Sequence, residues 1–325
     1  MTDTFKLDRR TLLTGAVAGT ALAMAAPGVS MAAAPKQGLS RPNFYRFGLG
    51  DFEVTSILDG AIQLDGPHPI FGENTTQEEV AALAVANFLP PDRMEIPFNV
   101  TVVNTGSQVI LFDSGNGAGR RPNAGRLREL LAGAGIAPEQ VDIVALTHFH
   151  GDHIGGLMED GNPAFPNATY VMGDAEYNYW SDEGLLSNEA IKGRAELVQS
   201  NVVPMAPKTR FIKDGDAVVS GIEAVSSNGH TPGHNSYHLE SNGRRLLVLG
   251  DVCNHYVVSL QRPDWHVRFD MDKDMAVASR KKVLGMIAAD KIPFIGYHMP
   301  PPAAGYLEPK GDGYRFVPVG YQLNL

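Results

Sequence analysis

This chain has a single cysteine, Cys253, among its 325 residues. That excludes an intramolecular disulfide, so an oxidising compartment would be tolerated rather than exploited. Positive charge is scarce as well. Its 27 lysines and arginines are outnumbered by 36 aspartates and glutamates, a net charge of −9. Without a basic footprint, nucleic acid is excluded as a partner. No apolar run reaches the roughly 20 residues that a membrane span needs. No internal repeat or linker divides the chain, which is long enough for one large core. The chain as a whole, 43% apolar and 19% charged residues, has the composition of a soluble globular enzyme.

Histidine is used unevenly. Of the ten present, three fall with an aspartate in Thr147-His148-Phe149-His150-Gly151-Asp152-His153, directly after the apolar run Val141 to Leu146. A strand ending near Thr147 delivers the chain to a loop where His148 and His150 can point to one side, with Asp152 and His153 further round the bend. Such a cluster normally binds metal. Four donors from so short a loop cannot all reach one tetrahedral ion without strain. They can serve two neighbouring ions as pairs, so more donors are expected downstream. These follow as Gly229-His230-Thr231-Pro232-Gly233-His234, Asp251 after Arg245 to Gly250, and His298 after Ile292 to Tyr297. Alone, each has an ordinary reading as a loop histidine, a strand-end turn former or a core or surface histidine. Their succession carries the argument.

In order and gaps, the series HxHxDH, GHTPGH, an aspartate after an apolar strand and a late histidine resembles the metallo-β-lactamase superfamily of binuclear metallohydrolases. The resemblance implies one metal held by His148, His150 and His230, another held by Asp152, His153 and His298, and Asp251 bridging them. His234 and Asp113 are then candidates for orienting the ligating imidazoles. His68, His238, His255 and His266 are not expected as ligands, and Cys253 reads as a small buried residue rather than a soft ligand. Zinc is the default for two divalent ions on His/Asp donors with an open position; manganese, cobalt or iron would be accepted by the same set.

Apolar alternation at Phe47 to Leu58 and Val100 to Phe112, then the run Val141 to Leu146, predicts three strands. Further strands are predicted at Ala168 to Met172, Ile222 to Val225, Ser236 to Leu239, Leu246 to Leu249 and Ile292 to Tyr297. Helical patterns occupy Thr76 to Phe88, Ala124 to Ala134, Asn188 to Val198 and Met275 to Ala289. The fold class is α/β, two stacked mixed sheets flanked by helices; the resemblance implies the αββα sandwich with metals at one edge between the sheets.

Segments at Phe47 to Thr55, Val103 to Ser107, Pro138 to Asp142, Phe165 to Ala168 and Gly313 to Val319 look like methyl parathion hydrolase and its relatives, which include lactonases and arylesterases. This likeness runs from about Asn43 to Tyr321, with Tyr314 to Val319 its most specific part. It implies a substrate pocket with Trp180 as an aromatic wall, and His255 is a further candidate to overlook it. Arg120 falls where that group would place another aromatic. A cation there favours a polar or anionic acyl group over a neutral aromatic phosphotriester.

The function this implies is a binuclear-metal hydrolase that opens lactones or aryl and carboxylic esters with a bridging hydroxide, with phosphotriester hydrolysis as a side activity. Asp152 and Asp251 are its candidate catalytic carboxylates, Asp152 as a proton shuttle. A β-lactamase and a glyoxalase II-like thioesterase are the alternatives. As partners the reading admits a small-molecule ester or lactone and a second copy of the chain in a homodimer, with no nucleic acid and no stable membrane span. Residues 1–34, with Arg9-Arg10 before a stretch rich in Ala, Gly and Thr, read as a cleaved twin-arginine export signal. The protein would then be periplasmic or secreted, with 35–325 a single hydrolase domain.

Overall fold

The computed structural model describes residues 41–320 and 323–325, so the export signal expected over 1–34 lies outside the described residues. Strand-forming alternation in the first two thirds of the chain builds a seven-stranded sheet. Its strands are β1 (Phe44–Leu49), β2 (Phe52–Asp65), β3 (Arg93–Asn104), β4 (Val109–Phe112), β5 (Ile143–Ala145), β6 (Thr169–Gly173) and β7 (Thr209–Ile212), adjacent in that order. β1 to β4 pair antiparallel, and β4 to β7 pair parallel. A second sheet contains β8 (Ala217–Val219), β9 (Ile222–Ser226), β10 (Asn235–Ser241), β11 (Arg244–Val248), β12 (Phe294–Ile295), β13 (Ala304–Lys310) and β14 (Gly313–Pro318), also in chain order. Only β11 and β12 are parallel there.

Period-two alternation sorts the side chains into layers. Val103, Ile110, Phe112 and Val171 of the first sheet meet Tyr237, Leu239, Leu246 and Val248 of the second in a shared core between the sheets. Their strand neighbours Val102, Leu111, Val144 and Tyr170 face the other way and are covered with Leu131 of α2 (Leu127–Gly133), Trp180 of α4 (Asp174–Trp180) and Val198 of α5 (Lys192–Asn201). Leu247 and Phe294 cover the far side of the second sheet with Val283, Leu284 and Ile287 of α7 (Lys273–Ala289). Burying each such side chain contributes about 1.5–3 kcal/mol. The protein therefore has the expected αββα layering.

Helix starts follow their caps. Thr76 accepts the Glu79 N–H to begin α1 (Gln77–Ala86), and Asp272 accepts that of Met275 to begin α7. The two long alternating runs are each two strands rather than one. Gly50, at φ +57°, turns the chain between β1 and β2, and a Cβ there would lie 2.1 Å from the Ser241 carbonyl. Asn104 and Thr105 make the turn between β3 and β4, their side chains accepting from Gly106 and Gln108. β7, β8, β13, β14 and α4 have no counterpart among the predicted elements. No helix among the described residues is long and apolar enough to cross a membrane.

Candidate metal centre

β5 ends at Ala145, and the following residues carry the HxHxDH series through α3 (Gly151–Ile154), whose N-cap is His150. The GHTPGH turn leads into β10, while Asp251 and His298 follow β11 and β12. A backbone hydrogen bond from Asn235 to Thr147, 2.9 Å, ties the start of β10 to the end of the β5 segment. Four connections from two sheets thus converge at one end of the sandwich.

The converging side chains form two sets of donors, His148, His150, His230 and Asp251 in one and Asp152, His153 and His298 in the other, each within 4.8 Å of its own members. Asp251 reaches both. Its Oδ2 lies 3.3 Å from His230 Nε2 and 3.1 Å from His298 Nε2, and its Oδ1 lies 3.3 Å from His153 Nε2. Asp152 Oδ2 is 3.6 Å from His153 Nε2 and 3.5 Å from His298 Nε2. All seven residues named from the sequence therefore surround one small space.

This donor set fits metal. His148 Nε2, His153 Nε2 and Asp251 Oδ1 are buried with no hydrogen-bond partner, an arrangement that costs about 1–3 kcal/mol per atom unless something else satisfies it. Burial and the neighbouring imidazoles hold His148 and His150 well below the usual histidine range, which leaves them neutral, the ligating form. Burial would lower His153, His230 and His298 too, but the carboxylates outweigh it, raising all three, His230 to about 9. Burial likewise opposes ionisation of Asp251, yet His298 and His153 hold it well below the carboxylate range. The carboxylates draw positive charge into the centre, and nitrogen and oxygen donors of this kind suit zinc or its neighbours.

Several residues hold the donors in place. Asp113 Oδ2 faces His153 Nδ1 at 2.8 Å, and Oδ1 accepts the Thr147 N–H at 2.8 Å. His234 Nε2 accepts the Asp251 backbone N–H at 2.9 Å, leaving its Nδ1 to pair with Ser227 Oγ. Asp113 and His234 are the two named from the sequence for this task. Three others had no signal there. Asp270 Oδ1 meets His230 Nδ1 at 2.8 Å, and its Oδ2 pairs with the buried Arg280 guanidinium at 2.7 Å. Burial opposes its charge, but these bonds win and keep the Asp270 carboxyl low. Glu176, also buried, accepts the Phe149 N–H with Oε1 and the Gly233 N–H with Oε2, at 2.9 and 2.8 Å. One carboxylate thus joins the turn between His148 and His150 to the turn after His230. Gly233 is required there, since a Cβ would lie 2.1 Å from the Glu176 nitrogen.

The donors open into a cavity of about 420 Å3 whose lining includes His150, Asp152, Asp251 and His298, with Arg120 among the rest. Trp180 and His255, expected as pocket residues, do not line it. Trp180 is fully buried in the core beneath the first sheet, because α4 turns that face inward. His255 packs edge-on against Phe71, and its Nδ1 accepts the N–H of Val257 and Val258 at the start of α6 (Val258–Gln261). Cys253 lies behind Asp251 in the core of the second sheet, where burial pushes its thiol up to about 12.

A metallo-beta-lactamase superfamily model matches residues 96–288. An N-acyl homoserine lactonase of Bacillus cereus is 26% identical over 173 residues, 53% of this chain and 62% of the relative, so the match spans about three fifths of that protein. Among solved structures, AidC, a dizinc quorum-quenching lactonase in complex with a product N-hexanoyl-L-homoserine, is similar at TM-score 0.77 and 26% identity, covering 86% of this chain and 98% of that one. The hydrolase AbOPH of the beta lactamase superfamily is similar at TM-score 0.79 and 26% identity, covering 87% and 100%.

Proposed function

The chain belongs to the metallo-beta-lactamase superfamily, and we propose that it is a metal-dependent hydrolase that opens lactones or aryl and carboxylic esters, with phosphotriester hydrolysis as a side activity. The observation that carries this reading is Asp251, whose two oxygens reach both donor sets on the floor of a cavity large enough for a small ester. The lactonase relatives support the substrate class.

In this reading His148, His150 and His230 would hold one divalent ion, Asp152, His153 and His298 a second, and Asp251 both, with zinc the default. Ions bound there would make water a competent nucleophile near neutral pH and polarise the carbonyl under attack. The protein supplies the rest. Asp113, His234, Asp270 and Glu176 fix the donors, so little reorganisation is needed during reaction. Asp152, with its side chain 18% exposed at the cavity, is placed to carry a proton at Oδ2 to the departing alkoxide oxygen. Ile96 and Phe98 present an apolar wall to the acyl chain. Export through a twin-arginine signal would place this activity outside the cytoplasm; a fusion of residues 1–34 to a reporter that matures only after export tests that part.

The test of the reaction is a panel of lactones, aryl esters, a paraoxon-type triester, a glutathione thioester and nitrocefin, assayed with and without a chelator, together with metal analysis. Chelator-sensitive turnover of lactones or esters is expected. Turnover of nitrocefin alone, or of the thioester alone, would overturn the substrate class; chelator-insensitive turnover would overturn the metal dependence.

A further inference from the structure

Apart from the candidate ligands and from Gly151 and Asn254, the cavity lining divides into two kinds of surface. Ile62, Leu64, Ile96, Phe98 and Phe269 are apolar, whereas Arg120 and Arg194 are cationic. The two arginines stand on different segments, Arg120 on the single turn Ala118–Arg120 and Arg194 on α5. Both line the same cavity. The Arg120 guanidinium lies 6.0 Å from the centroid of the Phe98 ring, and that ring is edge-on to His298 at 5.6 Å. Arg194 lines the cavity together with His150.

Among the described residues, neither guanidinium has an ion pair or a side-chain hydrogen bond, although acceptors are at hand in this region. Arg121, the next residue after Arg120, pairs with Glu159 at 2.8 Å. On a chain of net charge −9, these two unpaired cations of one cavity lining offer an anion a local attraction that the chain as a whole does not. Guanidinium presents a planar fork that matches a carboxylate. The apolar residues of the same lining suit hydrocarbon.

We propose that Arg120 and Arg194 form a carboxylate-binding subsite, and that the preferred substrates are esters or lactones whose acyl chain carries a carboxylate several carbons from the carbonyl under attack. The subsite rests on the hydrolase reading above and narrows it. In the reaction water adds across the acyl carbon–oxygen bond, the departing alkoxide takes up a proton, and the product is a dicarboxylate whose remote end stays on the arginines until release.

Mono-4-nitrophenyl adipate and 4-nitrophenyl hexanoate have acyl chains of equal length and differ in a terminal carboxylate against a methyl group. The ratio of their kcat/KM values on one enzyme sample cancels general losses of activity. For the metal-loaded protein this ratio favours the adipate by about tenfold, the size of one partly desolvated charge-assisted hydrogen bond. Arg120→Ala and Arg194→Ala each lower the ratio severalfold through KM, the lysine variants retain part of it, and the double alanine variant has no preference. Raising salt from about 20 mM to about 500 mM compresses the ratio by screening. A ratio of one or less in the natural protein, or one insensitive to both arginines, overturns the subsite. Should neither ester be hydrolysed, the aryl-ester part of the hydrolase reading fails on its own account. Calorimetric titration with adipate and with hexanoate then decides the subsite: tighter adipate binding that the double variant abolishes supports it, and equal binding overturns it.

Discussion

Asp270 Oδ1 accepts from His230 Nδ1 at 2.8 Å. With Nδ1 held by a carboxylate, Nε2 of His230 is the nitrogen turned toward Asp251 and the donor set. Arg280, 0% exposed, balances the Asp270 charge from the other side. Asp270→Asn removes that charge from between two partners. Metal affinity falls about 10–100-fold, read by competition with a chelating dye. The metal-free variant loses about 3–5 kcal/mol in denaturant unfolding, because the Arg280 charge is left buried and unpaired. Unchanged affinity would show that the histidine is oriented by other contacts.

Asp251→Ala removes the one carboxylate near both donor sets. The variant binds fewer than two ions per chain, and kcat/KM falls by at least about 100-fold. Elemental analysis alongside kinetics checks it; two ions and a normal rate would overturn the bridging role proposed for Asp251.

Glu176→Gln tests the join between the two ligand turns. An amide has one oxygen where the carboxylate has two, so one of the Phe149 and Gly233 N–H groups loses its acceptor. The expected loss is about 1–3 kcal/mol of stability, seen as a lower denaturant midpoint with weaker metal retention. Glu176→Ala, which strips both acceptors, lies further in the same direction, and an ordering of the two variants other than this would count against the join.

His255 gives a pH signature separate from the metal ligands. Burial holds its imidazole down to about 4, whereas the unfolded chain titrates near the ordinary value of about 6.5. Between those values the unfolded state binds more protons, so stability is fully present above the unfolded pKa and is lost as pH falls toward the folded one. The difference amounts to about 3 kcal/mol at most. His255→Asn keeps an acceptor for the N–H groups at the start of α6 but does not titrate, so the gap in unfolding midpoint between about pH 7 and about pH 4.5 narrows relative to the natural protein. An unchanged gap would assign the acid sensitivity to other groups. Metal content at neutral pH is unaffected by this change, since His255 lies in neither donor set.

The donors were legible because four of them sit within six residues of one another, and because each later one follows an apolar strand whose end must emerge somewhere along the sandwich rim. Layering was legible for a similar reason: Val102 and Val103 face opposite ways by the geometry of any strand. Glu176 and Asp270 were not. Their partners lie 27, 57 and 40 residues away, and an acidic residue in a helix or loop looks the same in sequence whether it meets water or a buried backbone N–H. Trp180 failed in the opposite sense. An aromatic near a metal motif serves equally as wall or core, and only the packing of α4 decides. Arg194 drew no notice because it lies in a polar helix, and its place at the cavity follows from how α5 crosses the sheet.

At Gly117, where φ is +68°, a Cβ would lie 2.1 Å from the Gly155 carbonyl, so the strip of chain beneath Arg120 is pressed backbone to backbone against the segment that follows α3. A side chain at that seam would clash, yet three residues later the chain carries the exposed Arg120, whose side chain, among the described residues, meets only the Phe98 ring. A lineage bearing this fold can therefore exchange what stands at the cavity mouth, cation for aromatic or aliphatic, without disturbing the chemistry at its base. On the subsite proposed above, single replacements there would alter substrate preference.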